Sequence, residues 1–437
     1  MSTYFRKLCF VGTGVCAACF TWSAHFVNST KAISDDGSIG IEVDDARFQI
    51  DHITKRGLQL KMVQVFFRHG ARTPLNLLAN PTKIPELEQV WDRNVLFSGG
   101  EGLLADYVVK DLGGGPAPEK YFDAINKTVL FKGGTHAGQL TTKGKHQMHH
   151  LGEVYKKYYI DKLRFLDPQY EPEHIYIRSS NLNRTIESAA CVLAGMFGNE
   201  INKKGSVPIF VATAMDDIMY PNFNSCGRLS ALTKNMCDEN ITPEMRVNIQ
   251  RIQKIFGISK CNREDLFKIS DVISCQKAHG IPIMDMLNQL PDFVEECAVN
   301  WMKDSVSQPG KHRLELLQMS GGRIVQMLRD NMKQLIQSNN IEIFRIYSCH
   351  DGTLMALLIG LNIFDDIWPP YAADLTFELY EDEKGFHYVR TLYLGKEKCV
   401  LKSKEAIIPL EEFIKLTSEI SISKDKYLAL CDDITTL

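Results

Sequence analysis

The 437-residue chain lacks any excess of one charge: fifty Lys and Arg against fifty-three Asp and Glu leave a formal net charge of −3. That balance excludes the broad basic footprint of a nucleic-acid-coating protein, though not a local positive pocket. It also lacks internal repeats, heptad arrays and low-complexity tracts, and with them the sequence signatures of solenoids and long coiled coils. At 44% hydrophobic and 24% charged residues, it is not a disordered, collagen-like or multi-span membrane protein. Beyond the first thirty-one residues nine cysteines remain without a single C-x-x-C pair; no zinc ribbon is indicated, and the odd number leaves at least one thiol free. Sequons at Asn28, Asn126, Asn183 and Asn240 are about what chance gives and do not decide the compartment.

Acidic residues are absent before Asp35, while Arg6 and Lys7 precede a 17-residue apolar stretch, Leu8 to Ala24, that ends in small residues. Residues 1–31 therefore read as a targeting or anchor segment, suiting a secretory signal, a short anchor or a mitochondrial presequence. Seventeen residues barely span a bilayer, which needs ~20. A buried first helix is the competing reading, weakened by Gly12 and Gly14. Residues 32–57 read as a linker.

Beyond that, β-branched runs alternate with helical periodicity, the α/β pattern. Strands are expected at Leu60–Phe67, Ile175–Arg178, Val207–Ala212 and Ile343–Ser348, with helices at Lys143–Tyr159, Leu182–Phe197, Arg313–Gln337 and Leu354–Leu361. A hairpin is expected from Leu375–Tyr380 and Phe386–Leu394. Strand signals vanish between Tyr220 and about Gly310. The expected fold is an α/β sandwich core, 58–219 with 311–437, having a mainly parallel sheet and helices on both faces, plus an inserted, mainly helical cap, 220–310.

Three segments carry chemistry, each placing polar residues where a strand ends and a helix is expected to begin. They are Arg68-His69-Gly70-Ala71-Arg72-Thr73-Pro74, Arg178-Ser179-Ser180-Asn181 and His350-Asp351-Gly352-Thr353. Thr73 and Pro74 suit a helix N-cap and first position. Open α/β sheets bind ligands beyond the carboxyl ends of their strands. Arg68, Arg72 and Arg178 offer planar cationic forks for phosphate, and His69 beside Gly70 suits a nucleophile. His350 adds a donor, and Asp351 is available to protonate a leaving alkoxide. Taken singly, each segment also fits a solvated face, a structural pair or a turn.

Together, R-H-G-x-R-x-P and a distant H-D resemble the histidine acid phosphatases, a branch of the histidine phosphatase superfamily. Gly138-Gln139-Leu140-Thr141 with Gly144 is similar to that family's G-Q-L-T-x-x-G helix. Lys61–Val65, Lys132-Gly133-Gly134, Leu193–Phe197, Leu361–Asp365 and Trp368-Pro369-Pro370 resemble its lysophosphatidic acid phosphatase type 6 branch. The resemblance implies a phosphomonoesterase without cofactor or metal, in which His69 becomes phosphohistidine, Arg68, Arg72, Arg178 and His350 bind phosphate, and Asp351 donates the proton. It further implies a lysophosphatidic acid substrate and a mitochondrial location, with the secretory pathway or a membrane anchor as the alternative. A broad-specificity acid phosphatase, a phosphohistidine phosphotransferase and a non-catalytic anion binder remain open. Other features read as ordinary structure: His146, His149 and His150 lack the glutamate of H-E-x-x-H, Cys349 alternates away from His350 into the core, and Gly113-Gly114-Gly115-Pro116 lacks the G-K-[ST] of a phosphate loop. His136 is read equally well as lining the cleft or as a surface turn.

Overall fold

A computed structural model describes residues 53, 55–77, 90–234, 242–283, 287, 290–337 and 341–434. The expected targeting segment, most of the expected linker, Cys237 and the sequons at Asn28 and Asn240 lie outside them. Nine strands form one sheet: β1 Gln59–Arg68, β2 Tyr107–Asp111, β3 Ile175–Ser179, β4 Val207–Val211, β5 Phe344–Cys349, β6 Asp374–Glu381, β7 His387–Tyr393, β8 Lys396–Glu397 and β9 Ile407–Pro409. Their order is β2-β4-β3-β5-β1-β6-β7-β8, with β9 on β7. The first five in that order are mutually parallel, and antiparallel pairing begins at β6. Parallel central strands are covered on both faces and so read as near-continuous apolar runs, which is why β1, β3, β4 and β5 appear within a residue of their expected bounds.

Helices follow as α1 Arg93–Leu96, α2 Tyr121–Asn126, α3 Thr142–Tyr155, α4 Asn183–Phe197, α5 Gly227–Lys234, α6 Pro243–Phe256, α7 Arg263–His279, α8 Pro291–Ser307, α9 Arg313–Leu317, α10 Arg323–Gln337, α11 Asp351–Gly360, α12 Leu410–Leu416 and α13 Lys424–Asp432. The alternation along β6 assigns them to faces. Leu375, Phe377 and Leu379 enter the large core cluster with Leu328 of α10 and Leu357 of α11. Asp374 and Glu378 point the other way, accepting hydrogen bonds from Tyr155 at the end of α3 and from Tyr159 in the π-helical stretch that continues it. Helices therefore pack on both faces, as the sequence implied. Among the described residues no strand falls between Val211 and Phe344. Within this stretch α6, α7 and α8 enclose their own apolar cluster, including Ile252, Phe256, Ile269, Ile273, Leu290 and Val294. A disulfide joins Cys226, just before α5, to Cys431 in α13.

Candidate active site

Strand register builds the site. Arg68 at the end of β1 pairs with Cys349 at the end of β5, and Ser179 at the end of β3 pairs with Ser348. His69, Ser180 and His350 thus each sit one step beyond a strand at nearly the same level, joined by the bonds His69 N to Cys349 O (3.1 Å) and Ser180 N to Ser348 O (3.2 Å).

The first motif turns sharply away from the sheet and is held by side chains. Gly70 N donates to Ser188 Oγ (3.3 Å) and Ala71 N to Gln147 Oε1 (2.8 Å). Gly70 lies against Gly144 of α3 so closely that a Cβ on Gly70 would strike Gly144 O, and one on Gly144 would strike Ala71 O. Only glycine fits such a backbone contact. The helix expected at Pro74 does not follow, and residues 73–77 are irregular. Thr73 is not an N-cap: its Oγ1 donates to His136 O (2.7 Å) and accepts from Gln139 N (2.9 Å). The segment 136–141 satisfies this turn in place of a following helix, and it fixes His136 through its backbone.

His69 is 1% exposed. Its Nδ1 lies 2.9 Å from Gly70 O, and because a carbonyl only accepts, Nδ1 carries the proton. In the neutral ring Nε2 is then left with its lone pair. Burial first, then Arg184, Arg72 and Arg68, push His69 well below the usual imidazole range; the same burial and cations do this to His350 against the opposing pull of Asp351. Both rings are therefore neutral at physiological pH, 5.6 Å apart edge to face. His350 Nε2 is 2.8 Å from Ser180 Oγ, and its backbone N donates to Thr353 Oγ1 at the start of α11.

Arg68 lies 4.0 Å over the Tyr371 ring; its Nη1 donates to Pro369 O (2.6 Å) and its Nη2 to Asp351 Oδ2 (2.8 Å). Arg72 donates through Nη2 to Asp271 Oδ1 (2.7 Å) and through Nη1 to Thr73 O (3.1 Å). In both, the buried Nε has no partner within the protein.

Arg178 is where expectation and structure part. It lies one residue short of the end of β3, on the face shared with Tyr176, and alternation turns it toward α10. There Nη1 meets Met327 Sδ (3.8 Å) and Nη2 meets the buried Asp217 (3.4 Å). It is not brought into the cluster. The third guanidinium beside the histidines is Arg184, which the motif reading missed. It stands at the second position of α4, whose side chains lean back toward the helix N-terminus and so toward the strand ends. The available signal was an arginine in the first turn of a helix that follows a site strand. Arg184 is 7% exposed, and neither its Nε nor its Nη1 has a partner. Burial and Arg72 push it down to about 10, against the pull of Asp123, Asp351 and Asp271.

Asp351 Oδ2 receives the indole Nε1 of Trp368 (3.1 Å) as well as Arg68, and Oδ1 accepts from Gly352 N (2.8 Å). Burial would raise this carboxyl, but Arg68, Arg72, His350 and Gly352 N together hold it below the usual range. The arrangement as a whole is a neutral, nucleophilic imidazole among three guanidinium groups with donors to spare, beside a carboxyl at one edge. It can hold a tetrahedral oxyanion and move a proton.

The side features stay apart from this chemistry. Cys349 is fully buried on Phe67 O, its thiol pushed up to about 12 chiefly by burial. His149 and His150 both face Glu153. Among the described residues no group of three or more His, Cys, Asp or Glu is arranged to hold a metal ion. The Gly113–Gly115 turn is organised by the Asp111 carboxylate, which accepts from Gly113 N and Gly115 N.

The chain is similar to human lysophosphatidic acid phosphatase type 6, 35% identical over 381 residues and covering 86% of each chain. It is similar also to mouse prostatic acid phosphatase, 28% identical over 312 residues, 66% of this chain and 79% of the relative. A solved Hafnia alvei phytase in complex with tartrate shares the fold, with TM-score 0.55 and 13% identity over 86% of this chain and 98% of the other. The family model for branch 2 of the histidine phosphatase superfamily matches residues 59–394, from the first residue of β1 to just past β7. The chain belongs to that branch and is a hydrolase of the histidine acid phosphatase family.

Proposed function

We propose that this phosphatase hydrolyses lysophosphatidic acid to monoacylglycerol and phosphate through a phosphohistidine on His69. The observation that carries the chemistry is the Nδ1 bond of His69 to Gly70 O, which leaves Nε2 free among Arg68, Arg72 and Arg184. Nε2 attacks phosphorus as the ester P–O bond breaks, and the departing alkoxide takes a proton from Asp351. Water then attacks the phosphohistidine, Asp351 takes its proton, and inorganic phosphate and His69 are released. Asp351 is held ionised in the free site, so its proton must arrive with substrate: a phosphate group beside it offsets Arg68 and raises its proton affinity. His350 and the three arginines bind the phosphoryl oxygens, with Arg184 in the place the sequence had given to Arg178.

Support for a lipid alcohol is of two kinds. The relatives covering most of this chain at 35% identity carry the name lysophosphatidic acid phosphatase. Trp368, on the Asp351 side from which the alcohol departs, also stands in a half-buried aromatic group with Phe267 (5.8 Å), itself 4.9 Å from Trp301. Leu290 and Val294, by contrast, pack into the separate apolar cluster of α6, α7 and α8. The N-terminal segment is proposed to carry the enzyme to mitochondria, which imaging of a residue 1–31 fusion tests; a secretory pattern would overturn that reading.

Acid-quenching a turnover of labelled substrate tests the chemistry. An acid-labile, alkali-stable phosphoryl adduct that disappears in His69→Ala is expected, and label on Cys349 or no label during rapid turnover sinks the mechanism. For the substrate, kcat/KM should rise along a lysophosphatidic acid series of increasing chain length, each CH₂ fully removed from water contributing up to ~0.8 kcal/mol. A series flat and level with glycerol phosphate removes the lipid preference and leaves the phosphatase.

A further inference from the structure

Helix α7 lies outside the three motifs, yet one of its faces touches the first of them directly at two successive turns and through Thr141 at a third. Asp271, Cys275 and His279 recur at four-residue spacing, which aligns them along the helix. Asp271 uses both oxygens: Oδ1 accepts from Arg72 Nη2 (2.7 Å) and Oδ2 from Leu75 N (2.8 Å). Cys275 Sγ lies 3.6 Å from Arg72 Nη1 and 3.2 Å from the Tyr371 hydroxyl. His279 Nε2 lies 2.9 Å from Thr141 Oγ1, which itself donates to Ala71 O. The Asp271 side chain is 7% exposed and that of Arg72 3%.

The gripped atoms matter. Asp271 takes Nη2 and Thr73 O takes Nη1, so the Arg72 guanidinium is held by its outer end while its Nε–H is left without a partner in the buried interior. A planar fork fixed at one end presents its remaining donors in one direction only. The second oxygen, on Leu75 N, ties the chain leaving the motif to the same carboxylate.

We propose that Asp271 is a positioning residue of the phosphate clamp. From α7 it sets the direction of the Arg72 guanidinium and the path of the chain at Leu75, so that α7 and the grip on phosphate are adjusted together. The inference rests on the reading of Arg72 as a phosphate ligand. It differs from simple charge neutralisation, in which any carboxylate near Arg72 would serve.

Competitive inhibition by inorganic phosphate, measured in the full chain with p-nitrophenyl phosphate as substrate, separates the two. Asp271→Glu keeps the charge and moves it by one methylene; Asp271→Asn keeps the size and removes the charge. Positioning predicts that both raise Ki for inorganic phosphate tenfold or more, with KM rising more than kcat falls. Neutralisation predicts wild-type behaviour for Asp271→Glu, and tighter phosphate binding in Asp271→Asn because Arg72 then lacks its counterion; either result overturns the proposal. Should Asp271→Asn fail to fold, the Arg72→Gln background decides, since Asp271→Glu should there change Ki less than twofold and a full independent effect refutes action through Arg72. A wild-type enzyme that inorganic phosphate does not inhibit would refute the clamp itself rather than the role of Asp271.

Discussion

Arg184 and Arg390 are both buried arginines packed against the same sheet, and the protein treats them in opposite ways. Arg390 on β7 is wholly enclosed, with Nε on Glu397 (2.7 Å) and Nη1 on Glu378 (3.1 Å) and the Tyr158 hydroxyl (2.9 Å). Burial opposes its charge, but Glu378 leads the groups that raise it far above the ordinary arginine value. Arg184 has no carboxylate of its own within hydrogen-bond reach among its described partners, and it is pushed down to about 10. A buried cation with its counterion in place is architecture. One without is a site that an arriving anion completes, because the anion supplies the missing charge and accepts the idle N–H groups.

Exchanging the two arginines' fates tests this contrast. Arg184→Gln should lower kcat/KM ~10²- to 10³-fold, the range for losing one donor to a developing oxyanion, while the melting temperature does not fall and the stabilisation given by inorganic phosphate shrinks. A large stability loss with near-normal turnover would make Arg184 a second Arg390. The reverse is expected of Arg390→Met: leaving Glu378 buried without its partner should cost about 3–5 kcal/mol of stability, read by denaturant unfolding, with kcat per folded molecule unchanged. The smallest effect sharpens the comparison at the clamp's edge. Trp368→Phe removes one donor from the Asp351 carboxylate, which raises its proton affinity, so the carboxyl keeps its proton to higher pH. The alkaline limb of the alkyl-ester rate should move upward by up to ~1 pH unit, the equivalent of about 1.5 kcal/mol for a hydrogen bond to a charged group. A downward shift would refute Asp351 as proton donor.

The same contrast explains what the sequence disclosed. Arg68, His69, Arg72, His350 and Asp351 were legible because each lies within a few residues of an apolar central strand, where one-dimensional proximity and spatial proximity coincide. Arg178 satisfied that rule too, and failed because a residue still inside a strand obeys alternation, which sent it to α10. Arg184 stands several residues beyond its strand and reaches back only because a helix intervenes. Asp271 lies in another segment altogether. β2 escaped notice because none of its five residues is buried, so it lacks the buried run that marks β1; β8 and β9 are too short to carry any pattern. The hairpin β6–β7 was legible from its turn, and the missing helix at Pro74 was not, because the partners of Thr73 are more than sixty residues away.

The register that aligns the strand ends has a consequence for how the chain comes into being. β1 is synthesised first among the strands, yet both its neighbours, β5 and β6, follow only after β2, β3 and β4: Phe67 and Cys349 are 282 residues apart. At ~5–20 residues per second, a ribosome leaves this long and largely buried strand without either partner for tens of seconds. Local pieces such as the α3–α4 pair can form meanwhile, but His69 meets His350 only once residue 350 of the 437-residue chain has been made, since the closure of so long a loop precedes any contact that rewards it. Premature termination anywhere before β5 therefore yields no partially active enzyme, only a β1 exposed on two edges and prone to pair with other chains.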